Sequence, residues 1–272
     1  AALDAHLAAH GQEWAQRGGP SGASVGGVLA TAASGRRRLA HGPVRDSLLE
    51  VILATGDGRL VRGGGRTVKN VSGYDLPRLA VGSWGVLGAL TQVTLKLWPL
   101  PAERAWFGAD GPLTTRERIA ADALAGRASA AVLLTPGRIA ISCEGQPADV
   151  IAPDGTVAST VPGEPSGAAL LRGGVPPAAV FELARWAEEN GIAYEAQAGV
   201  GSFTAAVDDL ATARAVGDCA LALGGHAEVI DAAPELRAVH QPPPAGLAIM
   251  KRLKQAFDPA GILNAGLLGE EI

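Results

Sequence analysis

Apolar and polar positions alternate along this chain with two different periods, and the switches between them mark its elements. The run 89–97 sets apolar residues between Thr, Gln and Lys, the pattern of a half-buried strand. Runs 48–53 and 59–62 are also strand-like, and the intervening Thr55-Gly-Asp-Gly58 supplies the Asp-Gly turn that predicts a hairpin. Helical spacing is seen at Leu3 and Leu7, in a segment over 1–14 with Gly11 as a stop. At Leu97-Trp-Pro-Leu-Pro101 two prolines end a strand and open a connector. Beyond it, helices are predicted over 115–125, 177–190 and 210–217. Strands are predicted over 104–109, 130–135, 138–143, 168–172, 193–198, 202–207 and 219–223, and 147–166 reads as loop or hairpin. Pro177 at the start of its helix and Gly191 after its end are the expected punctuation. A last helix covers 246–257 and stops before Pro259.

Two glycine clusters interrupt this pattern. The first, 20–35, has small side chains and hydroxyls at nearly every position and nothing bulky enough to fill a core. It reads as a flexible linker or as a loop offering backbone N–H donors to an anionic group, and Val25, Val28 and Leu29 argue against the linker. The second, Gly82-Ser-Trp-Gly-Val-Leu-Gly88, spaces three glycines by three. It reads as an ordinary turn or as a backbone that takes positive φ and approaches a bound group closely.

The order of these pieces resembles the FAD-linked oxidases of the vanillyl-alcohol-oxidase/PCMH superfamily, and within it the FAD-binding subunits of glycolate oxidases (glycolate dehydrogenases). The matching blocks are Ser24-Val-Gly-Gly-Val-Leu-Ala-Thr31, Gly42 with Arg45-Asp46, and Gly63-Gly-Gly-Arg-Thr-Val-Lys-Asn-Val-Ser-Gly-Tyr-Asp-Leu76. They continue with Gly82–Gly88, Leu95-Lys-Leu-Trp-Pro99 and Met250-Lys-Arg-Leu-Lys-Gln-Ala-Phe-Asp-Pro-Ala-Gly-Ile-Leu-Asn264. The resemblance implies an α+β protein: a PCMH-type FAD-binding domain over 1–100, a ferredoxin-like α+β cap over 101–240, and a helix and loop over 241–272 returning to the FAD domain. It implies FAD, with Ser24, Gly26 and Gly27 at the pyrophosphate and Ala30, Thr31, Ser34 and Gly35 along the path to the flavin; no His or Cys in those loops stands out as an attachment point, so the FAD is expected to be non-covalent. Arg45 and Asp46 would lie nearby, Gly82 and Ser83 in the second loop, and Gly88 and Leu90 at the adenine or ribose end. Tyr74 and Asp75 stay open between cofactor contacts and, respectively, a buried aromatic and a turn cap. Nothing before Pro20 matches the Arg-Gly-Gly-Gly-Thr-like turn that forms the other wall of the site in such proteins. The FAD domain is therefore expected to be incomplete at its N-terminus and not self-sufficient.

Catalytic chemistry is less marked. The His-Gly-Asp-Gly-Asn-type cluster of the family's catalytic 2-hydroxy-acid subunits is missing, and His6, His10, His41, His226 and His240 show no metal-ligand spacing, so no metal is expected. Lys69 and Arg45 are candidates for holding a substrate carboxylate or stabilising reduced flavin, and His226 with Glu228 on one strand face is a candidate acid/base pair. The leading reading is a subunit of a complex that oxidises glycolate or a similar 2-hydroxy acid, with a second FAD-linked subunit and an iron–sulfur subunit as partners. A stand-alone oxidase or dehydrogenase of another alcohol, and a flavin-less scaffold subunit, are the alternatives.

Composition narrows the field from another side. A formal charge of −4 over 272 residues leaves no basic footprint for nucleic acid. No apolar stretch has the length of a membrane span, so a membrane would be reached only peripherally, through partners; the expected location is the cytoplasm or the inner face of its membrane. Cys143 and Cys219 stand far apart without a Cys-x-x-Cys, which points to a reducing compartment and to no iron–sulfur ligation by this chain.

Overall fold

A computed structural model describes residues 2–20, 22–67, 74–126, 129–232 and 246–266. These fall into two compact units. The first takes the described residues up to Gly35, those of His41–Leu100, and the C-terminal segment from 246; the second takes Arg36–Ala40 and the described residues from Pro101 to 232.

The first unit opens with α1 (Ala2–Ala8), which buries Leu7 and gives way to a turn at Gly11, where φ is +66°. The helical spacing therefore ends earlier than 14, because β1 (Gln12–Glu13) pairs antiparallel with a strand near residue 98. The segment 20–35 is neither linker nor open loop. Ser24 caps a helix, α2 (Val25–Ala30), whose Val28 and Leu29 are 1% and 0% exposed in the core. The expectation that nothing there could fill a core is thus corrected: two branched side chains at adjacent positions of one turn suffice. After the short α3 (Arg38–His41) and a 3-10 turn at Val44–Ser47 come β2 (Leu48–Ala54), β3 (Leu60–Gly64), α4 (Leu76–Ala80), β4 (Ala89–Leu95) and β5 (Trp98–Pro99), the partner of β1. β2 lies between β3 and β4 in an antiparallel three-stranded sheet. Its Val51 and Leu53 face Val28, Leu29 and Leu76, while the buried indole of Trp14 donates to Ser47 Oγ at 2.8 Å.

The second unit is one eight-stranded sheet. Its elements are β6 (Glu103–Asp110), α5 (Leu113–Ala125), β7 (Ser129–Thr135), β8 (Arg138–Gly145), β9 (Val157–Ser159), β10 (Ala169–Gly174), α6 (Val180–Glu189), β11 (Ala193–Gln197), β12 (Ser202–Val207), α7 (Leu210–Ala222) and β13 (His226–Ala232). The strand order is β13-β10-β12-β11-β7-β8-β6-β9, and adjacent strands pair antiparallel. Alternate residues of these strands, such as Leu171, Tyr194, Phe203, Val132 and Ile141, form one core with Ile119, Leu183 and Val216 of α5, α6 and α7. On the opposite face Ala131, Leu133, Ala140 and Trp106 meet in a small apolar cluster. The strand expected over 219–223 is corrected. α7 runs on to Ala222 because Ala213, Val216 and Ala220, three and four apart, bury a single helix face, and the strand starts only after Gly224-Gly225. The loop 147–166 holds the short edge strand β9.

The chain then returns to the first unit as α8 (Leu247–Phe257), which lays Leu247, Met250, Leu253 and Phe257 against Val86 and Leu87. No described helix is long and apolar enough to cross a membrane.

Candidate functional site

Three segments distant in sequence converge in the first unit: α2, the 82–88 loop and the loop after α8. Ser24 Oγ accepts the Gly27 N–H at 3.0 Å, starting α2, and the Thr31 hydroxyl donates to Gly27 O at 2.8 Å near its end. The glycine loop fastens onto that end. Gly82 N–H donates to Leu29 O at 3.0 Å and Trp84 N–H to Ala30 O at 2.8 Å. Ala32 and Trp84 take left-handed φ of 51° and 53°, a conformation that costs a non-glycine residue and persists where the surroundings over-determine it.

The C-terminal loop holds the other side. Asn264 Nδ2 donates to Trp84 O at 2.7 Å, and the buried Lys254 ammonium donates to Val86 O at 3.1 Å, Leu263 O at 2.5 Å and Asp258 Oδ2 at 2.7 Å. Asp258 also accepts the N–H groups of Ile262 and Leu263 at 3.2 and 2.8 Å. Burial opposes ionisation of Asp258, but Lys254 and the two N–H groups outweigh it and hold its carboxyl below the ordinary carboxylate value. A carboxyl lowered by folding stabilises the fold fully above its unfolded value. The Asp258 contribution is therefore expected to be complete above about pH 5 and to be lost as acid takes the solution through roughly pH 4 and below. A denaturation series across that window, flattened by Asp258→Asn, measures it. Lys254, Asp258 and Asn264 were not singled out as site residues from sequence. Their signal was a lysine and an aspartate four apart straddling a helix end, with an asparagine six residues on.

The glycines separate into two kinds. Gly22 and Gly26 stand over open space, where a Cβ would meet nothing within 4 Å. Elsewhere the close approach is made by the protein's own atoms: a Cβ would stand 2.5 Å from Arg17 O at Gly35, 2.9 Å from Asn264 Nδ2 at Gly85 and 2.9 Å from Ala54 O at Gly88. At these positions glycine serves packing, and Gly88 takes no positive φ. Gly82 does, at +79°, in ordinary contact with Ala32.

The remaining expected residues fall as follows. Ala30, Thr31, Gly82 and Ser83 lie in the α2–loop junction, with Ser83 Oγ donating to Ala80 O. Ser34 Oγ accepts the Val44 N–H at 3.0 Å, tying two loops together. Arg45 and Asp46 are largely exposed and 3.6 Å apart. Leu90 sits in β4 opposite Leu53. Tyr74 is 99% exposed, which removes the buried-aromatic reading, and Asp75 caps α4 by accepting the Arg78 N–H at 3.0 Å. Lys69 lies outside the described residues. His226 is exposed on β13 of the second unit, in register with Gly174.

Comparisons with known proteins point one way. Residues 1–64 match a family model described as an FAD binding domain, and 230–268 match the C-terminal domain of FAD linked oxidases. A D-lactate dehydrogenase from Archaeoglobus fulgidus is 41% identical over 97 residues, 36% of this chain and 22% of that protein. Glycolate oxidase subunit GlcE from Escherichia coli is 48% identical over 79 residues, 29% of this chain and 23% of that protein. The aligned stretches thus span under a quarter of either relative's length. Among solved structures, an alkyldihydroxyacetonephosphate synthase superposes on 96% of this chain and 62% of its own, with a TM-score of 0.61 at 15% identity, a likeness of fold.

Proposed function

From a chain whose two ends carry segments of the FAD-linked oxidases, with glycolate oxidase subunits and D-lactate dehydrogenases among its homologues, we propose an FAD-binding portion of an oxidoreductase that acts on glycolate or a similar 2-hydroxy acid. The single observation that carries the cofactor reading is the open backbone at Gly22 and Gly26 beside the Ser24 cap. A dinucleotide is held largely through main-chain N–H groups, and such groups must be approachable without a Cβ in the way. The donor set fits at Gly26, whose N–H would approach the pyrophosphate beside the Ser24 cap to which Gly27 already gives its own N–H, while Ala30, Thr31, Gly82 and Ser83 would border the path beyond it. Bound FAD would supply the hydride acceptor for the alcohol carbon. The protein's own share is to hold the cofactor and to keep the loops against each other through Trp84, Asn264 and the Lys254–Asp258 pair. Transfer of electrons to an iron–sulfur subunit, with a second FAD-linked subunit in the complex, completes the proposal; its support is the kinship to glycolate oxidase subunits.

The test is the visible absorption spectrum of the purified chain after incubation with FAD, beside that of Gly26→Ala. Gly26 lies in a helix with free space around it, so alanine is expected to raise the stability of the flavin-free chain by about 0.5–1 kcal/mol. The same methyl group would stand where the cofactor's anionic centre approaches, so flavin retention should fall. Greater stability together with less bound flavin supports the reading. Equal flavin in the two proteins removes the 24–27 turn from the cofactor site, and no flavin in either favours a scaffold role.

A further inference from the structure

Five residues of the second unit, Arg36–Ala40, come from far outside its run of strands, and their neighbours in sequence, Gly35 and His41, belong to the first unit. The segment is a strap fastened to the second unit at three points. Arg36 Nε donates to Glu195 Oε1 on β11 at 2.9 Å, its Nη2 lies 2.6 Å from the other carboxylate oxygen, and its Nη1 donates to Pro162 O at 3.0 Å. Arg37 Nη1 donates to Glu144 Oε2 on β8 at 2.9 Å. Leu39 packs against the core, where a Cβ at Gly199 would stand 3.1 Å from its Cδ1. Glu195 and Glu144 lie on the sheet face opposite Tyr194, Ala196 and Cys143, which enter that core.

The two carboxylates are not held alike. Glu144 also accepts from Arg104, its cross-strand partner on β6, at 3.0 and 2.9 Å, so it keeps a cation whatever the strap does. Glu195 is 8% exposed, and the charges that act on it are Arg36 on the strap, with Arg37 and Arg38 following, and Glu164 in the loop before β10. Along the sheet its neighbour on β12 is the uncharged Thr204, beyond which Arg172 and Glu228 carry opposite signs. Toward β7 the register leads past the Ala196–Leu134 pair to Thr135 and then to Arg138, which Asp110 holds at 2.7 Å. Burial opposes the charged form of Glu195, Arg36 favours it and Glu164 opposes it again; the sum holds the carboxyl above its ordinary value of 4.5. A carboxyl raised by folding adds stability when protonated, fully below the ordinary value, and loses it as pH rises through the raised one. Protonating Glu195 therefore favours the folded chain while it weakens the hold on Arg36.

We infer that the Arg36–Glu195 contact is an acid-sensitive clasp: in mild acid Glu195 takes up a proton, Arg36 leaves it, and the first residues of the strap lift while Arg37 stays on Glu144 and Leu39 on the core. The opening is local, because the core residues on the other face of β11 are apolar and do not titrate. It bares a run of three arginines, Arg36-Arg37-Arg38, in the segment that follows Ser34 and Gly35. The clasp does not depend on bound flavin, so it stands or falls apart from the cofactor reading.

The test is amide hydrogen exchange of the full chain as purified, read by mass spectrometry at about pH 7 and about pH 5 and corrected for intrinsic rates; this window stays above the one in which Asp258 titrates. Protection of a peptide covering 36–40 should fall at least about fivefold on going to the lower pH, the difference between a hydrogen bond to a charged acceptor and one to a neutral acceptor, while 202–207 keeps its protection. Glu195→Gln should show the lower protection already at neutral pH and change no further, and trypsin should cut it within 36–38 several-fold faster than the parent. Glu164→Gln, at an exposed position, removes the repulsion and should move the opening to lower pH, a response that a merely structural pair would not give. That variant carries the test should Glu195→Gln fail to fold. Protection at 36–40 that ignores pH, a Glu195→Gln chain that behaves like the parent, or a Glu164→Gln chain that opens at the parent's pH overturns the inference. So does a loss shared equally by 202–207, which would be unfolding of the unit.

Discussion

Asp258→Ala is expected to destabilise the first unit by about 3 kcal/mol or more, since breaking a buried ion pair leaves the surviving charge uncompensated. The survivor is Lys254, buried, with the carbonyl oxygens of Val86 and Leu263 left to it among the described residues. The same substitution frees the N–H groups of Ile262 and Leu263, so the C-terminal loop loses its anchor at both ends. That loop fixes Trp84 through Asn264, and Trp84 in turn fixes α2 through Ala30. Hydrogen exchange should therefore rise first in 260–266 and 82–88, and only later in the β2 strand. Asp258→Asn, which keeps an acceptor for one N–H, should cost less. If denaturant unfolding of the alanine variant matches that of the parent, or if exchange stays unchanged in the 82–88 loop, the pair is not what holds these segments together.

The hub around Trp84 also shows which parts of the fold were legible in the sequence. The strand 202–207 announced itself because Phe203, Ala205 and Val207 enter the core while Ser202 and Thr204 lie on the other face, and 89–95 because Leu90, Val93 and Leu95 pack against the first unit's core among polar neighbours. The Asp57-Gly58 hairpin was legible because its turn chemistry is local. Failures came where two signals compete within a few residues. Cys219-Ala-Leu-Ala-Leu223 alternates large and small side chains like a strand, yet it belongs to a helix whose buried stripe begins at Ala213, and alanine gives that stripe little contrast. In 20–35 the abundance of glycine masked a six-residue helix that contributes Val28 and Leu29 to the core. For the candidate site, sequence order located both loops but not what occupies the room at each glycine. Whether a missing Cβ admits a ligand or a carbonyl oxygen of the same chain depends on long-range partners such as Ala54 and Asn264, which no local pattern encodes.

The largest effect in the second unit is expected from Glu188→Ala. Arg116 on α5 is 1% exposed, and its guanidinium reaches Glu188 Oε2 on α6 at 2.8 Å and Thr135 O at the end of β7 at 2.9 Å. Glu188 also accepts the Tyr194 hydroxyl at 2.8 Å and the Gly137 N–H at 3.3 Å, so one carboxylate joins two helices, a strand and a β-turn. Burial works against the charged form of Glu188, but Tyr194 and Arg116 outweigh it and keep the carboxyl below its usual value; burial and the neighbouring carboxylate push Tyr194 well above its own. Removing Glu188 strands a fully buried arginine, and a loss of about 3–5 kcal/mol is expected. Tyr194→Phe removes one neutral donor and should cost only about 1 kcal/mol. Arg116→Met combined with Glu188→Met should recover much of the loss, because a matched apolar pair leaves no charge without a partner. A double-mutant cycle on denaturant midpoints measures this directly. Additive single-mutant losses would mean that the two side chains act separately, and that the unit is held by its apolar core with this network as a bystander.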